Sequence, residues 1–279
     1  MPPRRLRLDQ ELVRRGLARS REHASAMVAE GRVKVAGVVA RKPATGVGTD
    51  AAIVVVEDPD SPDFASRGGH KLAGALEAMA AHDVRVAGRR CLDAGASTGG
   101  FTDVLLRAGA AEVVAVDVGY GQLVWRLQQD ERVRVHDRTN IRDLDPELIG
   151  GQVDLVVGDL SFISLQLVLD ALISVTRPAG EMLLMVKPQF EVGKDRVGKG
   201  GVVRDPALRA ESVQAVVDAA GERGWGAVAV TTSPLPGPSG NVEFFVLLRR
   251  GPGRVRPEEI RAEADRSAAW GSAGEKVES

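Results

Sequence analysis

The sequence predicts an α/β protein in which a small N-terminal α+β domain precedes a mostly parallel, doubly wound sheet. Short apolar strands alternate with helical segments along most of the chain after residue 90, and this alternation is typical of a parallel sheet with crossover helices. The first of these strands runs into a glycine-rich turn, 95–100, and then into a helix. Such a turn marks the edge of an open α/β sheet where ligands bind.

Composition limits the class of protein. The 279 residues are 44% hydrophobic, which is enough for one large domain and one small domain. The only cysteine is Cys91, so a disulfide framework within the chain and a zinc site of cysteines are excluded, and no metal site is predicted. No apolar run approaches the roughly 20 residues of a membrane helix, and the N-terminus lacks a signal-peptide block. We therefore expect a cytoplasmic protein without a membrane partner.

The net charge of −1 conceals a basic N-terminal segment. Residues 1–42 contain eleven Lys or Arg against four Asp or Glu, and the remainder contains 26 against 34. A basic head on an acidic body favours contact between the head and a polyanion. The alternative is an arginine-rich surface that is only solvated.

Four elements are predicted in the basic head, and a break rich in Pro and Asp follows them at 58–63. The elements are a helix capped by Asp9, a helix over 21–30 capped by Ser20, a hairpin over 33–39 and a strand over 52–56. The predicted division of the chain is a small domain over 1–60, a linker over 61–66, a large domain over 67–250 and a charged tail over 251–279. The tail is expected to be a loosely held helix or disordered.

The large domain is predicted to alternate strands with helices. The strands are expected from residue 90 to Asp93, at 113–117, 133–136, 153–157 and 182–186, and near Val228 and Phe244. The helices are expected from 66–71 through Met79, at 102–107, around 122–129 and at 206–223.

The turn after the first strand has the pattern Asp93-x-Gly95-x-x-x-Gly99-Gly100. Glycine lets the backbone approach a ligand that a Cβ would push away, and Asp117 closes the next strand, where its carboxylate can accept hydrogen bonds from a ribose diol. The G-x-G-x-x-G pattern of nicotinamide and flavin sites is absent. A nucleoside-containing cofactor is favoured over a purely structural turn. The pattern resembles motif I of the S-adenosylmethionine (SAM) methyltransferases, whose ligand carries a sulfonium and no phosphate.

Four ionisable side chains fall where a methyl-transfer site needs them. Lys71 begins the helix before the first strand, Asp159 and Lys187 end two later strands, and Glu243 lies near the last strands. Because the carboxyl ends of parallel strands share one edge of an open sheet, these residues can form one site. The alternative for each residue taken alone is a solvated surface charge.

A ribose 2′-hydroxyl attacks a methyl sulfonium only when its proton is removed, and a lysine can remove that proton only as a neutral amine. Lys187 is the predicted base, and Lys71 is the predicted cation that holds the hydroxyl or a phosphate. Asp159 and Glu243 would orient the two lysines. This Lys-Asp-Lys-Glu set resembles that of the FtsJ-type ribose 2′-O-methyltransferases.

Other chemistries lack their residues. Cytosine-C5 methylation needs a nucleophilic cysteine, and Cys91 is predicted to be buried in the first strand. Methylation of an exocyclic amine by the Asp/Asn-Pro-Pro-aromatic motif would need prolines where the chain has Leu160 and Ser161. A Walker A-like stretch at 193–199 is followed by Gly200 and not by the Ser or Thr that binds magnesium. Its cations are therefore interpreted as a basic lip that contacts RNA: Lys194, Arg196 and Lys199.

The phrase Gly16-Leu-Ala-Arg-Ser-Arg21, followed by a helix and then Gly31-Arg-Val-Lys-Val, resembles the S4-type RNA-binding domain. In that family a basic helix pair binds structured RNA, which is recognised mainly by backbone and shape. The resemblance implies phosphate contacts by Arg4, Arg5, Arg7, Arg19, Arg21, Lys34 and Lys42.

The S4-like head and four motifs in order closely resemble the TlyA family of bacterial ribosomal RNA 2′-O-methyltransferases, also labelled haemolysins. The motifs are Ser66-Arg-Gly-Gly-His-Lys71, the glycine turn from Asp93 to Phe101, Asp159-Leu-Ser-Phe-Ile-Ser and Lys187-Pro-Gln-Phe-Glu. The resemblance covers about residues 4–250. One departure is Phe64 in the linker, where relatives tend to carry Trp.

This resemblance implies a Rossmann-like methyltransferase domain with a mostly parallel seven-stranded sheet, SAM as methyl donor and cytidine ribose of 16S and 23S ribosomal RNA as acceptor. Ribosomal subunits would be the partners, and capreomycin susceptibility would be affected. The implied cofactor residues are Asp93 at the strand end, Gly95, Ala96, Ser97, Gly99 and Gly100 around the methionine portion, Asp117 on the ribose, Asn140 and Ile141 at the adenine, and Asp159 facing both cofactor and substrate. The alternatives are a pore-forming haemolysin, a non-catalytic RNA-binding or ribosome-assembly factor, and methylation of a base nitrogen.

Overall fold

The computed structural model describes residues 5–18, 20–56 and 62–267. They form two compact units, one from the N-terminus to residue 66 together with 124–126, and one from residue 67 onward without that short stretch. Each unit has its own buried apolar core. Among the described residues, no helix is long and apolar enough to cross a membrane.

The first unit combines two short helices with five short strands. These are β1 (Arg5–Arg7), α1 (Leu8–Arg14), α2 (Arg21–Ala29), β2 (Val33–Val35), β3 (Val38–Val39), β4 (Gly46–Gly48) and β5 (Ile53–Val55). Strands β3, β2 and β5 form an antiparallel sheet, and β1 pairs with β4. The predicted hairpin over 33–39 is confirmed, and the positive φ of Ala36 and Gly37 closes its turn.

The two helix starts predicted in this unit have different outcomes. Ser20 caps α2 as expected, because its side chain accepts a hydrogen bond from the backbone N–H of His23 at 3.1 Å. The cap predicted at Asp9 is wrong. Helix α1 begins at Leu8 with Arg7 at the cap position, two residues earlier than predicted, and the Asp9 carboxylate instead accepts hydrogen bonds from the guanidinium groups of Arg7 and Arg21.

The second unit is a seven-stranded sheet with helices. Its elements are α3 (Gly68–Ala78), β6 (Arg90–Ala94), α4 (Gly100–Arg107), β7 (Glu112–Val116), α5 (Trp125–Gln128), β8 (Val133–His136), β9 (Val153–Gly158), α6 (Leu169–Val175), β10 (Thr176–Val186), α7 (Pro188–Glu191), α8 (Pro206–Glu222), β11 (Trp225–Thr232), β12 (Phe244–Arg250) and α9 (Pro257–Arg266). The strand order is β11-β12-β10-β9-β6-β7-β8. Only β12 runs antiparallel to its neighbours, so the predicted mostly parallel sheet is confirmed.

Buried apolar runs explain the centre of this sheet. The last six residues of β10 and most of β9 are fully buried, as expected for parallel strands covered on both faces. Cys91 is buried in β6, as predicted, and burial raises the pKa of its thiol to about 12. A thiol of that kind is a packing residue and not a nucleophile.

Several boundaries differ from the sequence prediction. The helix expected around 122–129 is a single turn, α5, and the strand expected from Met182 begins at Thr176. Helix α6 was not predicted.

The tail beyond Gly251 is not loosely held where the structure describes it. Helix α9 packs against α8 and β11, and its Ile260 and Ala264 are buried. The Glu263 carboxylate accepts a hydrogen bond from the Thr232 hydroxyl at 2.9 Å. The sequence predicted a loosely held segment because α9 is strongly charged and contributes only two buried apolar side chains.

Candidate active site

One edge of the seven-stranded sheet collects the residues that the sequence singled out. Asp117 follows β7, Gly95 follows β6, Asp159 follows β9, Lys187 follows β10, and Glu243 immediately precedes β12. Because β12 runs antiparallel to β10, its first residue lies at the edge where the other strands end. Residues far apart in sequence are therefore arranged side by side in the order of the strands.

Lys71 and Glu243 form a buried ion pair. The Lys71 Nζ donates a hydrogen bond to Glu243 Oε2 at 2.5 Å, and the two side chains are 7% and 1% exposed. The loop before β12 closes over this pair at Gly237, where an added Cβ would lie 2.7 Å from Glu243 Oε1. Removing either partner would leave a buried charge uncompensated, which makes the pair a fixed feature of the site.

Lys187 and Asp159 form a second ion pair. The Lys187 Nζ lies 2.6 Å from Asp159 Oδ1 and donates a hydrogen bond to the Ser161 hydroxyl at 2.8 Å. The side chains of this pair are more exposed than those of Lys71 and Glu243, so the second pair lies nearer to solvent than the first. The two pairs are neighbours, because Val186 is the register partner of Phe244.

The glycine turn lies directly beside Asp159. Gly95 has a φ of +86°, and an added Cβ would lie 2.8 Å from the backbone oxygen of Asp159. The backbone N–H groups of Gly95 and Ala96 both donate to the carbonyl of Val116. Gly99 has a φ of +97°, and a Cβ there would overlap the side chains packed beneath the turn. No other residue type fits this close approach without strain.

Asp93 is a fully buried carboxylate beneath the turn. Its Oδ2 accepts a hydrogen bond from the Thr102 hydroxyl at 2.6 Å, whereas its Oδ1 has no hydrogen-bond partner among the described residues. Burial raises the pKa of Asp93 to about 7, and the nearby carboxylates of Asp159 and Asp117 add to the effect. A buried acceptor without a partner suits a ligand that brings a donor or a positive charge.

Asp117 is oriented by two backbone N–H groups. Ser97 donates to its Oδ2 at 2.8 Å and Gly119 donates to its Oδ1 at 2.7 Å. An ionised carboxylate has about four acceptor positions, so positions remain for the two hydroxyls of a ribose. Ile141 is buried, and the Asn140 side chain accepts a hydrogen bond from the N–H of Arg142. The acceptors and the narrow turn together fit a cationic nucleoside ligand.

Comparisons with known proteins agree with this geometry. Residues 64–250 match the family of FtsJ-like methyltransferases, and residues 6–53 match the S4 domain. A relative from Mycobacterium tuberculosis, named 16S/23S rRNA (cytidine-2′-O)-methyltransferase TlyA, is 61% identical over 88% of this chain and 90% of its own length. This chain belongs to the TlyA family of FtsJ-like methyltransferases.

Two further TlyA-like proteins carry a different name. Hemolysin A of Brachyspira hyodysenteriae is 34% identical over 86% of this chain and 98% of its own length. A solved structure from Streptococcus thermophilus with a provisional hemolysin name shares 34% identity and a TM-score of 0.72, and the match covers 98% of both chains. The fold predicted from the TlyA resemblance is thereby confirmed.

The TlyA-family site contains an exposed aromatic side chain that the sequence analysis did not single out. Phe162 is 91% exposed and has a φ of +64°, which is rare for a bulky residue. The loop that carries it is held by Glu191, whose carboxylate accepts hydrogen bonds from the Ser164 hydroxyl at 2.6 Å and the Leu165 N–H at 2.8 Å. Both residues belong to motifs quoted for the family, but their contacts cannot be read from the sequence.

The predicted RNA-contact residues lie in both units. In the first unit, Arg5, Arg7, Arg21 and Lys42 are exposed and Lys34 is partly exposed, whereas Arg4 and Arg19 lie outside the described residues. In the second unit, Lys194, Arg196 and Lys199 are exposed on two short 3₁₀ turns. Arg196 is already paired with Glu211 at 2.7 Å. The Walker A-like stretch forms no strand-loop-helix, in agreement with its rejection as a nucleotide loop.

Asn241 holds the segment that follows these cations. Its buried side chain accepts a hydrogen bond from the N–H of Val203 at 2.9 Å and donates one to the carbonyl of Gly201 at 2.8 Å. Asn241 lies two residues before Glu243, so the same loop holds both the base of the lip and one acid of the site. The sequence analysis did not anticipate this contact.

Proposed function

We propose that this protein transfers the methyl group of SAM to the 2′-hydroxyl of cytidine in 16S and 23S ribosomal RNA. The observation that carries the proposal is that two lysine–carboxylate pairs, with N–O distances of 2.5 and 2.6 Å, lie on neighbouring strands, and that Asp159 of the second pair lies beside Gly95. The 61% identity to a relative that bears this activity in its name supports the choice of substrate. The reaction needs a proton acceptor beside a binding site for the methyl donor, and the sheet edge supplies residues for both.

The residues of the turn would hold SAM by its polar groups. Asp93 offers its free Oδ1 to the ammonium of the methionine portion, and Asp117 offers its remaining acceptor positions to the ribose hydroxyls. Gly95 lets the turn pack against the backbone of Asp159, Gly99 lets it pack on the side chains of Leu123 and Leu127, and Ile141 offers an apolar contact for the adenine. Bound SAM would supply an electrophilic methyl group on a sulfonium.

Lys187 is the residue that would take the proton from the 2′-hydroxyl. Its Nζ is held by Ser161 and Asp159, and the Asp159 carboxylate stabilises the ammonium that forms when the proton arrives. In the ion pair with Asp159 the amine carries a proton, so Lys187 must release that proton to solvent before it can act as the base. A cationic ligand at the neighbouring turn favours this release, and the neutral amine then takes the 2′-hydroxyl proton as the oxygen attacks the methyl group. Positioned proton acceptors of this kind contribute about 10²- to 10⁴-fold to rate.

Lys71 would hold the acceptor nucleotide without exchanging a proton. Its side chain is held by Glu243 in a buried pair, and from that position it would contact a phosphate or the ribose oxygen. Phe162 projects from the same edge as an exposed ring and can stack on a base of the RNA. The S4 unit over 1–60 would add phosphate contacts, and the domain of 67–250 would perform the chemistry.

The test is methyl incorporation from labelled SAM into ribosomal subunits that lack the modification. We expect 2′-O-methylcytidine in both RNAs by nucleoside mass spectrometry. In Lys187→Met we expect a loss of about 10²- to 10⁴-fold in kcat, with SAM binding retained by calorimetry. The matched control is Arg85→Met, which removes an exposed cation paired only with Asp83 in the described part of the chain.

Three results would contradict the proposal. Full activity of Lys187→Met would show that Lys187 is not the proton acceptor. Methylation of a nucleobase nitrogen would show that the reaction is not ribose 2′-O-methylation. Absence of SAM binding in the unmodified protein would favour the RNA-binding factor. The hemolysin name is tested in parallel with dye-filled liposomes, where we expect no release at concentrations that methylate RNA.

A further inference from the structure

Asp9 binds two of the arginines that were predicted to contact RNA. The Asp9 side chain is 3% exposed. Its Oδ1 accepts hydrogen bonds from Arg7 Nε at 3.0 Å and the Gln10 N–H at 2.9 Å, and its Oδ2 accepts from Arg7 Nη2 at 2.9 Å and Arg21 Nη2 at 3.0 Å. The hydrogen bond from Arg7 is the main reason why the pKa of Asp9 is lowered to about 2. The carboxylate is therefore ionised at any working pH.

The two arginines remain available to a ligand. About half of each side chain is exposed, 47% for Arg7 and 53% for Arg21. A guanidinium has five N–H donors, and Asp9 uses two of those on Arg7 and one of those on Arg21. Because the side chains are already held, little rotamer entropy remains to be lost when a phosphate binds.

Glu11 also binds two arginines, and its contacts serve only to hold the fold together. It is fully buried and pairs with Arg14 and Arg15. Arg15, however, also donates to the carbonyl of Ala51 at 2.7 Å, so that it joins α1 to the segment before β5. The Arg21 bond joins α2 to α1, but among the hydrogen bonds of the described residues neither guanidinium bonds to any group other than Asp9.

We propose that Asp9 is a positioning residue for RNA binding, which holds the guanidinium groups of Arg7 and Arg21 as one rigid pair for the phosphate backbone. The inference rests on the proposed function, because it concerns how the same ribosomal RNA is bound. The inference predicts that loss of this negative charge weakens RNA binding, which is opposite to the effect expected from net charge. Removing a negative charge from a polyanion-binding surface strengthens attraction by long-range electrostatics, whereas removing Asp9 should weaken binding.

The experiment measures kcat and KM of the full chain with ribosomal subunits that lack the modification. In Asp9→Asn the amide nitrogen cannot accept the bonds that Oδ2 receives, so we expect KM for the subunits to rise about tenfold with kcat and the KM for SAM unchanged. The matched control is Asp50→Asn, which changes net charge equally at an exposed acid of the same unit that has no arginine partner among the described residues. We expect KM in that control to stay constant or fall.

A KM in Asp9→Asn that is unchanged or lower overturns the inference. So does a fall in kcat at constant KM, since that is the result of a smaller folded fraction. If thermal unfolding shows that Asp9→Asn is not folded, Arg21→Lys carries the test, because it keeps the charge but loses the planar fork. A rise in its KM supports the inference and an unchanged KM overturns it. Failure of the unmodified protein to methylate ribosomal RNA would instead refute the proposed function.

Discussion

Asp93, the carboxylate proposed to hold the ammonium of SAM, carries a cost in stability. Its carboxylate is fully buried, has one hydrogen-bonding side chain, Thr102, and lies near two other acids. Burial leaves the charge poorly compensated by the protein, and this raises the pKa of Asp93 to about 7. A bound cation would remove that penalty, so the residue links affinity for the ligand to pH.

The pH prediction follows from the direction of this shift. Between about pH 4 and pH 7 the folded protein keeps a proton on Asp93 that the unfolded chain has released, so the free energy of unfolding falls as pH rises through this window. The loss is roughly 4 kcal/mol for a shift of this size. We expect Asp93→Asn to lose much less stability between pH 5 and pH 8, as measured by urea unfolding.

SAM affinity should show the opposite trend. A cationic ligand favours the ionised form, so we expect affinity measured by calorimetry to be roughly tenfold weaker at pH 6 than at pH 7.5. In Asp93→Asn affinity should be weak and nearly independent of pH. Parallel pH profiles for the two proteins would contradict the role given to this carboxylate.

At the scale of one element, the loop between β9 and α6 is arranged around a strained aromatic residue. Phe162 has a positive φ, and its ring lies 5.3 Å from that of Phe190, centroid to centroid. Backbone strain of this kind persists only when the surrounding structure enforces it. Glu191 supplies that enforcement through its bonds to Ser164 and Leu165.

Two substitutions of Phe162 separate the effect of backbone strain on stability from the effect of the ring on RNA binding. Phe162→Ala and Phe162→Gly both remove the ring, so we expect both to lower kcat/KM for ribosomal subunits about tenfold by loss of base stacking. Only glycine relieves the positive φ, so Phe162→Gly should be more stable than Phe162→Ala by about 1 kcal/mol. Urea unfolding and methylation kinetics measure the two effects. Unchanged kcat/KM in both variants would show that the ring does not contact RNA.

At the scale of the whole molecule, two separate cores imply two independently stable units. Among the described residues, the apolar cluster of the first unit is built from residues before 56, and one apolar cluster on the sheet is built from residues after 91. All four charged residues of the candidate site and the glycine turn belong to the second unit. The division into RNA binding and chemistry is therefore open to a direct test.

Removal of residues 1–66 separates RNA binding from chemistry. We expect a protein of residues 67–279 to fold and to bind SAM within about twofold of the full chain, because no residue proposed to hold SAM is removed. Methylation of ribosomal subunits should fall at least about 100-fold at low concentration, since the basic phosphate contacts of the head are lost. Calorimetry and labelled-methyl incorporation measure the two quantities. Full methylation by the shortened protein would contradict the role of the head.

The elements that the sequence predicted well are those whose signals are local. The cap at Ser20, the hairpin at 33–39 and the strand–glycine–helix turn each depend on neighbouring residues, and each is present. The prediction failed where distant contacts decide. Asp9 is a residue type that often caps helices, but its carboxylate is occupied by the guanidinium of Arg7, two residues earlier, and by that of Arg21, which only the fold brings close.

The strand-ending motifs, together with their resemblance to known methyltransferase families, were enough to predict an α/β methyltransferase whose four charged residues can form one site at a sheet edge. This was possible because parallel strands place their carboxyl ends together wherever they lie in the chain. Tertiary structure alone decided which charges pair. Lys71 pairs with Glu243, 172 residues away in the chain, and Lys187 contacts Asp159 and Ser161. Which side chains come within hydrogen-bond distance depends on the order of the strands and on how the loops close. The same holds for α9 and for the arginines of Asp9, whose positions are set by packing and not by local pattern.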